Sequence, residues 1–366
     1  MPVSTSALAW AVAESGVPKA DLEKRLKVAS GTVERWIDGD CQPNGTQFKR
    51  LKLLLKRPAS IFFMETPPIS PEAEVAMRLA FGATSRSRSP NERLAIRDAT
   101  RVRKFVGDLW EELREQYKGI PSASTNEDPE EVANTVRSEI LGVGIQEQLA
   151  WSSPSQAFRK WRALIERMHI LVFLYPLGEL SARGFSCASD HPPVIGVSTT
   201  WHPSIRVYTL FHELGHVLTR TSSSCVEATT GVPTEDPVER WCERFSASLL
   251  MPGQAVRELI ERHGSLDAIA TATWLANKLC VSRKAALLRL VEIGDATWSD
   301  FRRLDSKFER KGGGGRPDAD YARTRDIVRR DTYGGCLSGV MDAYQSGLVT
   351  EADIRSYLRM SPEELA

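Results

Sequence analysis

Two histidines four positions apart, inside an almost wholly apolar segment, constrain this chain more than any other feature. Residues 208–218 read Tyr-Thr-Leu-Phe-His-Glu-Leu-Gly-His-Val-Leu. On a helix each residue advances about 100°, so His212 and His216 lie about 40° apart, one turn above the other. Their imidazoles can therefore converge on one cation, and the apolar neighbours predict a helix that is buried rather than exposed.

The residue that follows the first histidine, Glu213, completes an H-E-x-x-H pattern. In this pattern two neutral histidines bind Zn²⁺ and the glutamate takes a proton from the water on the metal. Zinc lowers the pKa of that water from about 15.7 to about 7 and polarises the carbonyl under attack. We therefore predict Zn²⁺ as the cofactor, His212 and His216 as ligands, and Glu213 as the general base.

A catalytic zinc ion usually has a third protein ligand. Residues 239–252 predict a second apolar helix, on which Glu239 and Glu243 lie one turn apart on the same face. We predict Glu239 as the third ligand and Glu243 as the residue that orients a ligand histidine. Glu235 and Asp236 are alternative ligands, and a solvated acidic face without a metal is the alternative for the whole segment.

These two segments resemble the paired motifs of the ImmA/IrrE family of metallopeptidases. The family joins an R-x-x-T-x-x-HELGH helix to an E-x-x-A-N/D-x-F-A-x-x-L-L-M-P helix, which this chain resembles at 206–216 and 239–252. Cys242 and Ser246 stand where the family usually has Ala, and Glu243 stands where it usually has Asn or Asp. The longer side chain of Glu243 changes the contacts expected around the ligands rather than the ligand set.

The resemblance implies a zincin that cuts a repressor or antitoxin, often itself a helix-turn-helix protein, at one or a few sites. Zincins commonly bind substrate as an added strand along a sheet edge, for which we predict residues 193–200. The charged tetrahedral intermediate also requires a hydrogen-bond donor. Tyr208 and Arg206 are the leading candidates for this oxyanion stabiliser, and His202 and Tyr321 are further ones.

The wider pattern predicts a mainly α fold with a small β-sheet (α+β). Apolar runs predict strands at 169–175, 184–188 and 193–198, before a metal-binding helix that begins near Val207. Helical spacing predicts helices at 6–15, 19–28, 30–38, 46–56, 92–117, 129–141, 269–279, 282–293, 321–330 and 337–347. We expect four regions: a helix-turn-helix domain at 1–70, a helical linker at 71–165, a zincin-like peptidase domain at 166–300, and a Gly-rich hinge with a helical C-terminal region at 301–366.

The N-terminal region resembles the XRE-type helix-turn-helix that is often fused ahead of this peptidase. Residues 1–70 contain ten Lys and Arg against seven Asp and Glu, a net charge of +3, which permits DNA binding without requiring it. If it binds DNA, Thr32 and Arg35 should face bases in the major groove while Lys49 and Arg50 reach phosphates. The rival function is docking to protein, either a related helix-turn-helix in the substrate or a second copy in a homodimer.

The remaining features predict a cytoplasmic protein without a membrane partner. The six cysteines are scattered singly, which favours reduced thiols over a disulfide framework. Residues 170–175 form the longest clean apolar run near the middle, far short of the roughly 18 residues that span a bilayer. Residues 7–13 are apolar but lack a preceding Lys or Arg, so we predict no secretory signal.

Two functions are therefore consistent with the sequence. The first is a zinc endopeptidase that hydrolyses a specific regulatory protein. The alternative is a DNA-binding transcriptional regulator whose metal site is structural or sensory.

Overall fold

The computed structural model describes residues 2–67, 88–113, 119–179, 181–188, 192–221, 236–264, 267–308 and 331–365. The chain forms two compact units, Met1–Asp98 and Ala99–Ala366. Helices dominate both units, and the described strands form one small sheet, which confirms the predicted mainly α fold with a small sheet. No helix in the described ranges has the length and apolarity needed to cross a membrane.

The first unit begins with four short helices that enclose a small core. They span Thr5–Ser15, Lys19–Leu26, Thr32–Asp38 and Gly45–Leu55, each within two residues of its predicted bounds. Ser4 caps the first helix, and Asn44 and Gln47 form a capping box on the fourth. A 3₁₀ turn, Ala59–Phe63, adds Phe62 to the core, which also contains Trp36. The unit continues to Asp98, beyond the predicted boundary at residue 70.

Three strands of the second unit form the sheet: β1 (Leu171–Tyr175), β2 (Gly184–Cys187) and β3 (Val194–Ser198). All three were predicted, but their order in space is β1-β3-β2. β3 pairs in parallel with β1 (Leu171 opposite Val194) and antiparallel with β2 (Gly184 opposite Val197). The prediction that residues 193–200 form the sheet edge is therefore wrong, because both sides of β3 are used by neighbouring strands.

Alternate side chains of this sheet belong to different layers, as the pleat of a strand requires. Val172 and Ile195 join the large core of the second unit, which also contains the helices that follow the sheet. On the opposite face Phe173 packs edge-on against Tyr333, with ring centroids 5.6 Å apart. The sheet is thus buried on both faces, and all five residues of β1 are buried.

Two helices after the sheet carry the predicted ligands, and we call them the histidine helix (Pro203–Leu218) and the glutamate helix (Pro237–Leu250). The histidine helix begins four residues before the predicted Val207, because the His202 ring accepts a hydrogen bond from Ser204 N and Pro203 occupies the first turn. Asp236 caps the glutamate helix in the same way, by accepting from Val238 N.

The described residues also form other helices. They span Pro90–Glu112, Pro129–Thr135, Ile145–Leu149, Pro154–Glu166, Gly253–His263, Ala268–Leu279, Arg283–Glu292, Trp298–Phe308, Cys336–Gln345, Glu351–Tyr357 and Pro362–Leu365, with a π turn at Val136–Ile140. The ring of Trp161 packs edge-on against Phe211 of the histidine helix, 4.9 Å between centroids. Described residues on both sides of the predicted border at 165 therefore share one core. The predicted Gly-rich hinge at 312–315 and helix at 321–330 lie outside the described residues.

Candidate metal centre

The histidine helix lies in the interior of the second unit. Every residue from Val207 to Leu218 is buried, and His212, Glu213 and His216 are 1%, 0% and 2% exposed. The apolar residues around the two histidines account for this, since they are the side chains that pack into the core. The two imidazoles are thus held one turn apart in a site that excludes most water.

Gly215 lets the glutamate helix approach the histidine helix closely. A Cβ atom at this position would lie 3.0 Å from Cys242 Sγ and 3.2 Å from Cys242 Cα. Cys242 is buried and follows Glu239 by about one helical turn, so this contact sets how near Glu239 comes to the histidines. The Gly of the HELGH segment therefore has a packing role.

Three donor atoms converge where the two helices meet. His212 Nε2 lies 3.2 Å from His216 Nε2 and 3.2 Å from Glu239 Oε2. His216 Nε2 lies 3.4 Å from Glu239 Oε1, and the three residues form a group that could hold a metal ion. Ligands bound at about 2.0–2.1 Å around a tetrahedral ion are separated by about 3.3 Å. The donor set therefore fits a small tetrahedral cation with one coordination position left for another ligand.

The charges around these atoms also favour a cation. Burial tends to raise the pKa of the Glu239 carboxyl, but hydrogen bonds and charge from His212 and His216 hold that pKa well below its usual range. Burial tends to lower the pKa of His212, but its hydrogen bond with Glu239 and the nearby carboxylates raise that pKa overall. Glu239 is thus a carboxylate at neutral pH, and its negative charge lies next to the two imidazoles, where it would attract a cation.

Glu243, the predicted orienting residue, lies near the ligands on the next turn of the glutamate helix. Burial raises the pKa of its carboxyl to about 7, in spite of the opposing charge of His212. Its main-chain oxygen accepts a hydrogen bond from the Tyr208 hydroxyl at 3.0 Å. Glu243 is therefore electrostatically linked to the metal-binding group, whereas its predicted orienting role stays a prediction.

The two leading candidates for the oxyanion stabiliser are both engaged in contacts between elements. Tyr208 is 2% exposed, and its hydroxyl joins the two ligand helices through Glu243. Arg206 donates through Nε to Trp201 O and through Nη2 to Thr199 O, both at 2.6 Å. These contacts hold the helices and the loop after β3, so a role toward substrate stays a prediction for both residues.

Two of the remaining candidates, the alternative ligand Asp236 and the oxyanion candidate His202, lie in the described part of the chain, and both serve as helix caps. Asp236 caps the glutamate helix through Val238 N at 2.8 Å. His202 caps the histidine helix and is exposed. Glu235 and Tyr321 lie outside the described residues.

Strand β2 passes directly beside the predicted base. A Cβ atom at Gly184 would lie 3.0 Å from Glu213 Oε1 and 2.6 Å from Thr209 Cγ2. The sequence alone does not reveal this contact, because it joins a strand to a helix that begins 16 residues after that strand ends. Thr221, whose hydroxyl lies 2.9 Å from His216 Nδ1, is a second residue that sequence reasoning missed.

The predicted DNA-contacting residues of the first unit are only partly accessible. Arg35, Lys49 and Arg50 are exposed. Thr32 is buried, at 8% exposure, because it occupies the first turn where the helix packs into its unit. The contact of Thr32 with bases stays a prediction. On the same helix Glu34 forms an ion pair with Lys19, which offsets part of the charge that would repel a phosphate backbone.

A helix with an H-E-x-x-H pattern, a glutamate donor on a second helix and a small sheet beside them define a metallopeptidase domain. Residues 165–291 belong to the ImmA/IrrE family: they match the model of the peptidase M78 family, described as an IrrE N-terminal-like domain. The match spans the whole sheet and both ligand helices. It confirms the predicted family, whose members are metal-dependent peptidases. Among curated proteins no match to the chain is found.

Proposed function

We propose that this protein is a zinc endopeptidase that hydrolyses one or a few peptide bonds in a specific regulatory protein. The observation that carries the proposal is the convergence of His212, His216 and Glu239 within a domain of a peptidase family. Two imidazole nitrogens and one carboxylate oxygen, with a further position open, are a ligand set of catalytic zinc in peptidases. Structural zinc sites are instead usually closed by four protein ligands.

The residues of this chain divide the chemistry among them. His212, His216 and Glu239 would hold Zn²⁺, which when bound supplies an activated water and polarises the substrate carbonyl. Glu213 takes the proton from the attacking water at its carboxylate and passes it to the nitrogen of the leaving amine. Because Glu213 is 0% exposed and lies against β2, its carboxylate is held in place before substrate arrives.

The substrate segment is expected to lie along β2. This strand replaces residues 193–200 in that role because β2 is a terminal strand of the sheet, within the described residues, and begins at Gly184 beside Glu213. An extended segment aligned with β2 passes the general base, so its peptide bonds come within reach of the site. A substrate bound in this way is an extended or locally unfolded segment, as in a linker of a repressor or antitoxin.

The test of the peptidase is Glu213→Gln in the full chain. The amide keeps the shape of the carboxylate but cannot take a proton, so zinc content should stay at the wild-type level while cleavage falls by about 10²–10⁴-fold. Metal analysis and incubation with a candidate helix-turn-helix repressor measure the two quantities. Equal cleavage by the variant would refute the assignment of the base, and bulk degradation of casein would refute a narrow substrate range.

The alternative, a DNA-binding regulator with a structural or sensory metal, is favoured by the exposed Arg35, Lys49 and Arg50 of the first unit. It predicts salt-dependent binding to the DNA upstream of its own gene. That binding would be unaffected by Glu213→Gln, and with a structural metal it would also be unaffected by a chelator as long as the protein stays folded. The two activities are compatible, since the residues predicted to contact DNA and the candidate metal ligands lie in different units.

A further inference from the structure

The chain reverses direction where the histidine helix ends. Thr221 N donates to His216 O at 2.9 Å, and Arg220 N donates to Val217 O at 3.2 Å. Arg220 has a φ of 58°, in the left-handed region that a residue with a Cβ rarely adopts. This pair of bonds is the Schellman motif, and it places Thr221 back over the last turn, next to His216.

The turn is held by contacts to a distant segment of the same unit. The Arg220 guanidinium donates through Nη2 to Ile120 O at 2.9 Å, and Ala123 N donates to Leu218 O at 2.9 Å. The left-handed conformation of Arg220 costs about 1 kcal/mol relative to glycine, which these bonds offset. The position of Thr221 is therefore fixed by the fold.

A chain of hydrogen bonds leads away from His216 through this turn. His216 Nδ1 lies 2.9 Å from Thr221 Oγ1, which lies 2.9 Å from Thr219 Oγ1. Thr219 Oγ1 in turn donates to Gly215 O at 3.0 Å. The chain thus ends on a main-chain carbonyl, which can only accept.

The metal-binding tautomer of His216 sets the direction of the donors. Nε2 of His216 lies in the donor group, 3.2 Å from His212 Nε2, so a neutral His216 that binds a metal carries its proton on Nδ1. Nδ1–H then donates to Thr221, whose hydroxyl donates to Thr219. Each hydroxyl also has a second, longer acceptor, since the main-chain oxygen of His216 lies 3.5 Å from Thr221 Oγ1 and 3.3 Å from Thr219 Oγ1. Along the shorter bonds, successive donors in one direction strengthen one another.

We propose that Thr221 is a positioning residue that fixes the tautomer and ring orientation of His216, so that its Nε2 lone pair points at the metal. Thr221 acts through the histidine and makes no contact with substrate. The inference rests on the metal site of the proposed function. A hydroxyl takes the place of the carboxylate or carbonyl that more often accepts from a ligand histidine.

The test compares Thr221→Val with Thr221→Ser in the full chain. Valine keeps the shape of threonine but cannot accept a hydrogen bond, so the affinity for Zn²⁺ should fall about 10–100-fold. Serine keeps the hydroxyl and should restore an affinity near that of the wild type. Competition of each protein with a chromogenic zinc chelator measures the affinity without reference to peptidase activity.

Thr273→Val is the matched control, because Thr273 also donates to a carbonyl of its own helix, at 2.8 Å, but that helix carries none of the three donors. Its zinc affinity should equal that of the wild type. Equal affinity of the wild type and Thr221→Val, with both proteins folded, would overturn the inference. Failure of the wild type to bind zinc would instead overturn the proposed function.

A second measurement does not depend on the variant. In the wild-type protein loaded with zinc, ¹⁵N chemical shifts of the His216 ring should show a proton on Nδ1 that is protected from exchange with solvent. In Thr221→Ser this proton should remain. A His216 ring protonated on Nε2, or an Nδ1 proton that exchanges freely, would overturn the inference even if Thr221→Val did not fold.

Discussion

At the scale of single residues, the carboxylate of Glu213 requires the absence of a side chain at position 184. The space that a Cβ would occupy there is bounded by Glu213 Oε1 at 3.0 Å, Thr209 Cγ2 at 2.6 Å and the main-chain oxygen of Gly196 at 3.0 Å. The last of these belongs to the central strand, which is paired on both sides and cannot easily yield. The closest contact is with Thr209, one turn before Glu213, so the histidine helix and the Glu213 side chain are what must move.

We predict that Gly184→Ala lowers kcat of the peptidase by about 10²-fold while zinc affinity changes little, because a displacement of about 1 Å is enough to misalign a catalytic group. Zinc titration and cleavage assays on one preparation measure both. Gly339→Ala is the control, since nothing lies within 4 Å of a Cβ at that helical position. Unchanged kcat in Gly184→Ala would show that the base does not depend on this glycine.

The residues of the site differ in how far the sequence could predict them. His212, Glu213 and His216 follow from helical spacing within one element, and the carboxylate on the next helix, Glu239, follows from the need for a third ligand. Gly184 and Thr221 act through a strand-to-helix contact and a helix-terminal turn. Neither contact has a periodicity in the sequence, so no local pattern could indicate it.

At the scale of elements, the packing of the histidine helix on the glutamate helix is what brings the donors together. The two helices come close at Gly215, where an added Cβ would meet both the side chain and the Cα of Cys242. The Cα cannot rotate away as a side chain can, so a larger residue at 215 must separate the helices. Glu239 would move with its helix.

We predict that Gly215→Ala weakens zinc affinity and lowers the free energy of unfolding by about 1–3 kcal/mol, as overpacking of a core does. Cys242→Ala combined with it should recover part of the loss, because the contact with Sγ disappears while that with Cα remains. Urea unfolding and zinc titration of the single and double variants check this. A fully restored double variant would show that the main chain tolerates the methyl group.

A second junction of elements joins the C-terminal region to the helix Pro154–Glu166. Arg162 donates to Asp331 O at 2.6 Å and also to Val172 O of β1. Glu166 accepts from Gly335 N at 3.2 Å. These bonds dock the start of the C-terminal helices on the sheet, next to the half-buried Cys336.

Burial raises the pKa of the Cys336 thiol to about 12, and the nearby carboxylate of Glu166 adds to the effect. Because the thiolate is the reactive form, we predict that alkylation of Cys336 in the folded protein is slow at pH 8 and speeds up with pH until about 12. The unfolded thiol ionises near pH 9, so this group also destabilises the folded state as pH rises above 9. Mass spectrometry after iodoacetamide treatment measures the modification.

Arg162→Ala is the informative comparison for this prediction, because it removes the bonds that hold residues 331–332. Faster alkylation of Cys336 is expected in that variant. Rapid alkylation of the wild type at pH 8, before unfolding, would contradict the packing described for this region.

For the sheet, the sequence predicts where the strands lie along the chain but not their order in space. Apolar runs located all three strands, because each strand is recognisable from its own residues. The order β1-β3-β2 depends on pairing between segments that are distant along the chain, and a run of Val and Ile is equally compatible with a central or a terminal strand. The predicted edge was therefore wrong although the predicted strand was right.

At the scale of the whole molecule, all three metal donors lie in the second of the two compact units. A metal that binds only the folded state stabilises it by about 2.7 kcal/mol when its free concentration is 100 times Kd. Metal binding should therefore stabilise the second unit and leave the first unaffected.

We predict that a chelator lowers the Tm of the second unit, and that a transition of the first unit, where calorimetry resolves one, stays in place. Restoring Zn²⁺ should restore the Tm. The double variant His212→Ala/His216→Ala is the control and should not respond to either treatment. A chelator effect of equal size in that variant would show that the stabilising metal binds elsewhere.

The placement of the donors on two helices has a consequence for biosynthesis. A nascent polypeptide that has emerged only as far as His216 possesses two imidazoles but no carboxylate partner, and the helix with Glu239 must also dock before the three atoms meet. The metal site is thus completed only when the helix with Glu239 has been synthesised and has docked on the histidine helix. A product truncated before Glu239 lacks one of the three donors and is expected not to form the site.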